Sequence, residues 1–201
     1  MPSLAYRQIL EQAWAGLHDP SHDLSHVERV LHNARTIFQQ EGGRWDIIEP
    51  SVWFHDLVNV PKNHPNRHKA SALSAGQALT LLKENGISDE MHLEQIHHAI
   101  TAHSFSAAIV PETLEAKIVQ DADRLDSLGA LGIMRTFAVS GALDRPFFDP
   151  EDPFAEAREL DDKKFALDHF GVKLFKIAGT LHTKTATSMA QERLRFMREF
   201  F

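Results

Sequence analysis

Four positions in the sequence carry side chains of the kind that bind divalent cations: His26, the adjacent pair His55–Asp56, and an aspartate in VQDADRLDSLG, either Asp121 or Asp123. Imidazole nitrogen and carboxylate oxygen suit hard and borderline ions, and a mixed set leaves coordination positions for water and substrate. His55 and Asp56 follow the apolar run SVWF and precede a polar stretch with Asn59, Lys62, Asn63, His64, Arg67 and His68. Consecutive helical positions diverge by about 100°, so an ion shared by the pair has to sit between their two directions. His97, His98 and His103 lie in IHHAITAHSFS. The first two cannot both face inward from one helix, whereas His103 stands at a helix end, where a side chain reaches into a cleft. Each of these residues alone has a plainer reading. An isolated helical histidine is commonly surface or satisfied core, and an Asp–Arg pair is commonly a solvated face.

The elements that would position these groups read as helices. LAYRQILEQAWAGL spaces its apolar residues along one helical face, and VERVLHNARTIFQQEGG ends on the Gly42–Gly43 pair, a helix stop. A third helix is expected from Trp45 to about Leu57, then a loop over 58–66 punctuated by Pro61 and Pro65. KASALSAGQALTLLKENG has small residues in its first half that permit close packing, and ISDEMHLEQIHHAITAH starts on a Ser88–Asp89 cap. Pro111 opens a segment of two helices or one bent one, residues 144–155 are an irregular excursion, and helices are expected over 156–179 and 182–200. The glycines of LGALG and SGAL follow no strand, so no dinucleotide fingerprint is present. The Met, Leu and Phe of MAQERLRFMREFF form a core face or a homodimer contact.

Composition narrows the function classes. The chain has 201 residues with no linker, repeat or low-complexity block, which points to one domain. A formal net charge of −7 disfavours binding to a nucleic-acid backbone. No run approaches the ~18–20 apolar residues of a membrane span, and the first residues do not form a leader peptide. Cysteine is absent, which removes thiolate metal sites and fits a reducing compartment, so a soluble, cytoplasmic protein is expected.

A histidine, a His–Asp pair some thirty residues later and a distant helical aspartate together resemble the HD-domain metal-dependent phosphohydrolase superfamily. HDLSHVERV, HDLVNVPKN, HSFS, QDADRLD and LGALGI are similar to the small bacterial single-domain HD hydrolases, over about residues 18–200. The resemblance implies an all-α fold, a single multi-helix bundle with its core at about 18–140 and C-terminal helices 156–200 packed on it. It also implies one divalent ion (Mn, Mg, Fe, Ni, Co or Zn) held by His26, His55, Asp56 and a fourth ligand. The family wording A-D-x-L matches Ala122–Asp123–Arg124–Leu125 and selects Asp123. A helical wheel instead sets Asp121 on the interior side with Ile118, Leu125 and Leu128, which keeps Asp121 as second choice.

Many members carry Lys or His three or four residues after the His–Asp pair, where this chain has Val58, Asn59 and Val60. Lys62 is the nearest cation and, with Asn63 and Arg67, is suited to phosphate oxygens. Asp56, Lys62 and His103 are the expected catalytic residues. Lys62, Asn63, Arg67, His103 and Arg124 are the expected substrate contacts. The implied activity is hydrolysis of a small phosphorylated metabolite, a nucleotide, by pyrophosphohydrolase or phosphomonoesterase chemistry. The alternatives are an HD-fold di-iron oxygenase, which needs about six His/Asp ligands, or a metal- or nucleotide-binding regulatory module without catalysis.

Overall fold

In this computed structural model, which describes residues 3–15, 23–58, 60 and 65–201, the apolar spacing becomes helices and, among the described residues, no strand. They fall into two compact units, Met1–Asp123 and Arg124–Phe201.

In the first unit, α1 (Ser3–Ala13) buries Tyr6 and Leu10, and the Tyr6 ring meets Phe54 edge-on at 5.9 Å. Helix α2 (Leu24–Glu41) starts where Asp23 Oδ1 accepts the His26 N–H at 2.9 Å. That cap satisfies one of the orphan donors of the first turn and places His26 inside the helix. The helix stops at Gly42, whose φ of 81° suits glycine.

Helix α3 (Trp45–Phe54) is buried along most of its length and is shorter than the expected span to Leu57. Its C-cap is His55, so the His–Asp pair lies at the helix end and in the following turn. Two side-chain bonds hold the chain beyond that turn. Trp14 Nε1 donates to the Leu57 carbonyl at 3.1 Å, and Val58 N donates to Ser74 Oγ at 3.0 Å.

Helix α4 (Ala70–Glu84) buries a face of small residues, Ser71, Ser74, Ala75 and Ala78, and α5 (Glu90–His103) packs against it. Asp89 caps α5 by accepting from the backbone N–H groups of Met91 and His92. Helix α6 (Leu114–Asp126) carries both candidate aspartates. Two buried amides tie it to other helices of this unit. Asn33 Nδ2 of α2 donates to the Ala122 carbonyl at 3.0 Å, and Gln120 Nε2 of α6 donates to the Ala102 carbonyl of α5.

In the second unit, α7 (Gly129–Ala142) follows a two-residue turn, so the segment after Pro111 is two helices. Gly129 has a φ of 77°, and a Cβ on Gly132 would stand 2.1 Å from the Ser127 carbonyl oxygen. Only glycine fits that approach.

The excursion expected over 144–155 continues further than the periodicity indicated. The helix expected over 156–179 is realised only in its second half, as a π turn (Phe170–Leu174) running into α8 (Phe175–Ile177). Aspartates account for the difference, since their carboxylates bind backbone N–H groups that a helix would otherwise use. Asp152 accepts from Glu156 and Ala157, Asp161 from Lys163 and Lys164, and Asp168 from Asp161. Asp168 is buried and also accepts both Arg158 Nη atoms, at 2.5 and 2.9 Å, a bidentate pair under the loop. Thr183 caps α9 (Lys184–Phe200). The terminal Phe201 ring sits 4.6 Å from Phe170, which anchors the end of the chain.

Candidate metal centre

The first unit brings His26, His55, Asp56, His103 and Asp123 together from α2, the end of α3, the end of α5 and α6. The capped first turn of α2 carries His26, whose Nε2 lies 3.2 Å from His55 Nε2. Asp56 Oδ2 is 3.6 Å from His26 Nε2 and 3.5 Å from His55 Nε2. Asp123 Oδ1 is 3.5 Å from His26 Nε2 and 3.8 Å from His55 Nε2. The other oxygen of Asp56, Oδ1, lies 3.6 Å from His103 Nε2.

Backbone geometry orients two of the rings. His55 Nδ1 donates to the Val52 carbonyl at 2.7 Å, and His103 Nδ1 donates to the Ile100 carbonyl at 2.6 Å. In each case the acceptor is three residues back on the same helix, so the ring turns its Nε2 toward the cluster. A metal-binding imidazole is commonly fixed in this way through its other nitrogen. The rings form a buried floor, with His26, His55 and His103 at 1%, 0% and 5% exposure. The Asp56 and Asp123 side chains, 15% and 28% exposed, form the open side.

Electrostatics separates the histidines. Burial pushes the His55 imidazole down to about 4, against the pull of Asp56. It is therefore neutral at pH 7, with a lone pair on Nε2. His103 is also penalised by burial, but the Asp56 carboxylate beside it and the charge of Asp123 outweigh this and raise it above the ordinary histidine value.

The donor set fits a divalent cation. Nitrogen and oxygen ligands lie about 2.0–2.2 Å from such an ion, so two of them stand at most about 4.4 Å apart, and the separations above fall within that limit. Among the described residues the ligand atoms gather in two overlapping groups, each within 4.8 Å: His26, His55 and Asp123, and His55, Asp56 and His103. Asp121 belongs to neither. It is fully buried, as are Ile118 and Leu125, so the interior side of the wheel is core.

The remaining expected residues are more dispersed. Lys62 and Asn63, with His22, Asn59, Pro61 and His64, lie outside the described residues. Arg67 stands in a 3-10 turn (Arg67–Lys69), and its Nη1 donates to the Val60 carbonyl at 2.6 Å. Arg124 Nη1 donates to the Thr180 carbonyl at 2.6 Å, which commits that nitrogen to the backbone of the second unit. Asp126 pairs with Arg135 at 2.9 Å. His98 Nε2 accepts the Glu112 N–H at 2.9 Å and so holds a loop. Sequence reasoning passed over Asn33 and Gln120. Each binds the carbonyl immediately before a cluster residue, Ala122 before Asp123 and Ala102 before His103. A polar amide on the buried side of an amphipathic helix was the available signal.

Comparison with known proteins agrees with this geometry. The family described as "HD domain" matches residues 23–128. The uncharacterized protein YpgQ of Bacillus subtilis (strain 168) is 33% identical over 183 residues, covering 89% of this chain and 80% of YpgQ. A solved HD-superfamily hydrolase from Bacillus thuringiensis superposes with a TM-score of 0.75 at 29% identity, over 98% of this chain and 92% of that one. Bacillus subtilis YpgQ, solved in complex with ADP, superposes with a TM-score of 0.73 at 30% identity, over 97% of this chain and 93% of that one. With its His, His–Asp and Asp positions gathered at one place, the chain belongs to the HD-domain family.

Proposed function

We propose that this protein is a metal-dependent phosphohydrolase acting on a nucleotide. The observation that carries the reading is the cluster itself, in which two rings are locked by their own helix backbones with Nε2 facing the two oxygens of the Asp56 carboxylate. A structural neighbour described as a hydrolase and a relative solved with ADP support the reaction class and the ligand class. His26, His55, Asp56 and Asp123 would hold one divalent ion, of Mn, Mg, Fe, Ni, Co or Zn. When bound, such an ion neutralises phosphoryl charge and lowers the pKa of a water.

The chain's own residues then have separate tasks. Asp56 turns Oδ2 toward His26 and His55 and keeps Oδ1 on the His103 side, where it orients the attacking water. His103 faces the phosphoryl group from the same side. Lys62, Asn63 and Arg67 belong to the segment that follows the His–Asp pair and are assigned to the phosphate oxygens. Arg124 is a weaker candidate contact, given its bond to Thr180. The favoured reaction adds water to phosphorus and breaks the α–β bridging bond of a nucleoside triphosphate, giving a nucleoside monophosphate and pyrophosphate.

The test is a panel of nucleotides and phosphate esters assayed with several divalent cations. The comparison protein carries His26→Ala, His55→Ala, Asp56→Ala and Asp123→Ala together. Hydrolysis by the parent, reduced at least about 100-fold in the variant, is expected. No hydrolysis of any panel member, with the metal bound, would instead indicate a regulatory module. Five donors gather among the described residues, which keeps an oxygenase in view. Two irons per chain with oxygen uptake would replace the hydrolase reading.

A further inference from the structure

A cavity of about 500 Å³ opens within the second unit, between α9 and the run from α8 into a 3-10 turn (Ala178–Thr180). It shares no residue with the His/Asp cluster. Its size lies within the range of small-ligand sites, about 300–1,000 Å³. Phe175, Ala178 and Leu194 supply an apolar lining. Gln191, Arg195 and Arg198 follow one another at i, i+4 and i+7, so α9 turns all three to the same side.

These polar groups have donors to spare. Arg195 Nε faces Glu199 Oε1 at 4.0 Å, beyond hydrogen-bond range, and the two side chains are 76% and 70% exposed. A pair that open is worth little and gives way to a better acceptor. The Arg198 guanidinium lies 5.9 Å from the centroid of the Phe175 ring, a contact that uses its charge and leaves its N–H groups available. Among the described residues, no hydrogen bond engages the side chain of Arg195, Arg198 or Gln191. Arg135, Arg158 and Arg193 of the same unit each donate to a protein oxygen.

Charge around the cavity runs against that of the chain. Residues 173–199 hold six Lys or Arg and two Glu, in a protein of net charge −7. Such a local cationic field draws anions to it. At the cavity itself Arg195, Arg198 and Glu199 leave one net positive charge, which suits a monoanion rather than a polyphosphate. We propose that this cavity is a second ligand site, which takes a small organic carboxylate. The carboxylate meets the Arg195 and Arg198 forks, and its apolar body lies against Phe175, Ala178 and Leu194.

Calorimetric titration of chelator-treated protein with naphthoate tests this, because the chelator leaves no divalent ion at the His/Asp cluster for a carboxylate to bind. Saturable binding is expected. Naphthylmethanol, which lacks the charge, and acetate, which lacks the rings, are expected to bind at least about tenfold more weakly. Arg195→Gln combined with Arg198→Gln is expected to weaken naphthoate at least about tenfold at an unchanged melting temperature. Gln191→Trp, which sets a large side chain at the cavity from an exposed helix position, is expected to do the same. No saturable binding by the parent, equal affinity for the neutral alcohol, or undiminished naphthoate binding in either variant overturns the proposal.

Discussion

The two donor groups share His55, and Asp56 stands between the three imidazoles, with one oxygen facing His26 and His55 and the other facing His103. Asp56→Asn keeps the shape but removes the charge. It is expected to lower affinity for a divalent cation at least about tenfold by calorimetry. Asp121 and Asp123 give a sharper comparison. Asp123→Asn is expected to lower cation affinity with little change in melting temperature, and Asp121→Asn to do the reverse. A loss of cation affinity in Asp121→Asn alone would reassign the fourth ligand. Family wording and the helical wheel indicated different aspartates because they report different things. A wheel reports burial, and Asp121 is indeed buried, whereas Asp123 is partly exposed beside His26. His103 drew notice in the sequence because it stands at a helix end, and there its Nδ1 donates to the Ile100 carbonyl while its Nε2 faces Asp56.

At the scale of elements, the amides of Asn33 and Gln120 set the spacing of the helices that bear the cluster. Gln120→Leu leaves the Ala102 carbonyl short of a buried donor and is expected to lower both melting temperature and cation affinity, the latter about tenfold. Two glycines make a paired test. Alanine gains about 1 kcal/mol over glycine within a helix. At Gly76, where an added Cβ meets nothing within 4 Å, the substitution is expected to raise the melting temperature. At Gly132 the 2.1 Å approach to a backbone oxygen reverses the sign, and a net loss of about 1–3 kcal/mol is expected in denaturant unfolding. The Arg158 hydrogen bond holds the Asp168 carboxyl below the ordinary range, outweighing the opposite effect of burial. Its stabilisation is thus present above the ordinary carboxylate pKa of about 3.9 and is lost as pH falls through the lower folded value. Asp168→Asn is expected to cost about 2–3 kcal/mol at pH 7, with the difference from the parent closing in strong acid. That pair lies in the stretch that periodicity misread. Residues 156–169 have helix-like spacing, but hydrophobic periodicity does not register the choice of an aspartate carboxylate over a helical carbonyl as acceptor for the backbone N–H groups.

For the whole molecule, the helical class was legible because long amphipathic runs with recognisable caps dominate the chain, and Asp89 and the Gly42–Gly43 stop act where the sequence placed them. Among the described residues no helix is long and apolar enough to cross a membrane. The convergence of five polar side chains from four helices was not readable from spacing alone. It depended on likeness to a family, since residues 26 and 123 are nearly a hundred positions apart. A ligand that binds only the folded chain stabilises it by mass action, about 2.7 kcal/mol at a hundred times its dissociation constant. Adding a divalent cation is therefore expected to raise the melting temperature, and a chelator to reverse the rise.

Both α3 and α5 deliver their histidines at their C-terminal ends. The carbonyl end of a helix carries partial negative charge, so those two ends add to the charges of Asp56 and Asp123, on a protein of net charge −7. The same placement that locks the rings makes the mouth repel a phosphate until that charge is neutralised. Under the proposed function, assembly is therefore expected to be ordered, with cation before anion. In chelator-treated protein a nucleotide should show no measurable heat of binding, however high its concentration, and the two ligands should never be interchangeable in sequence of addition.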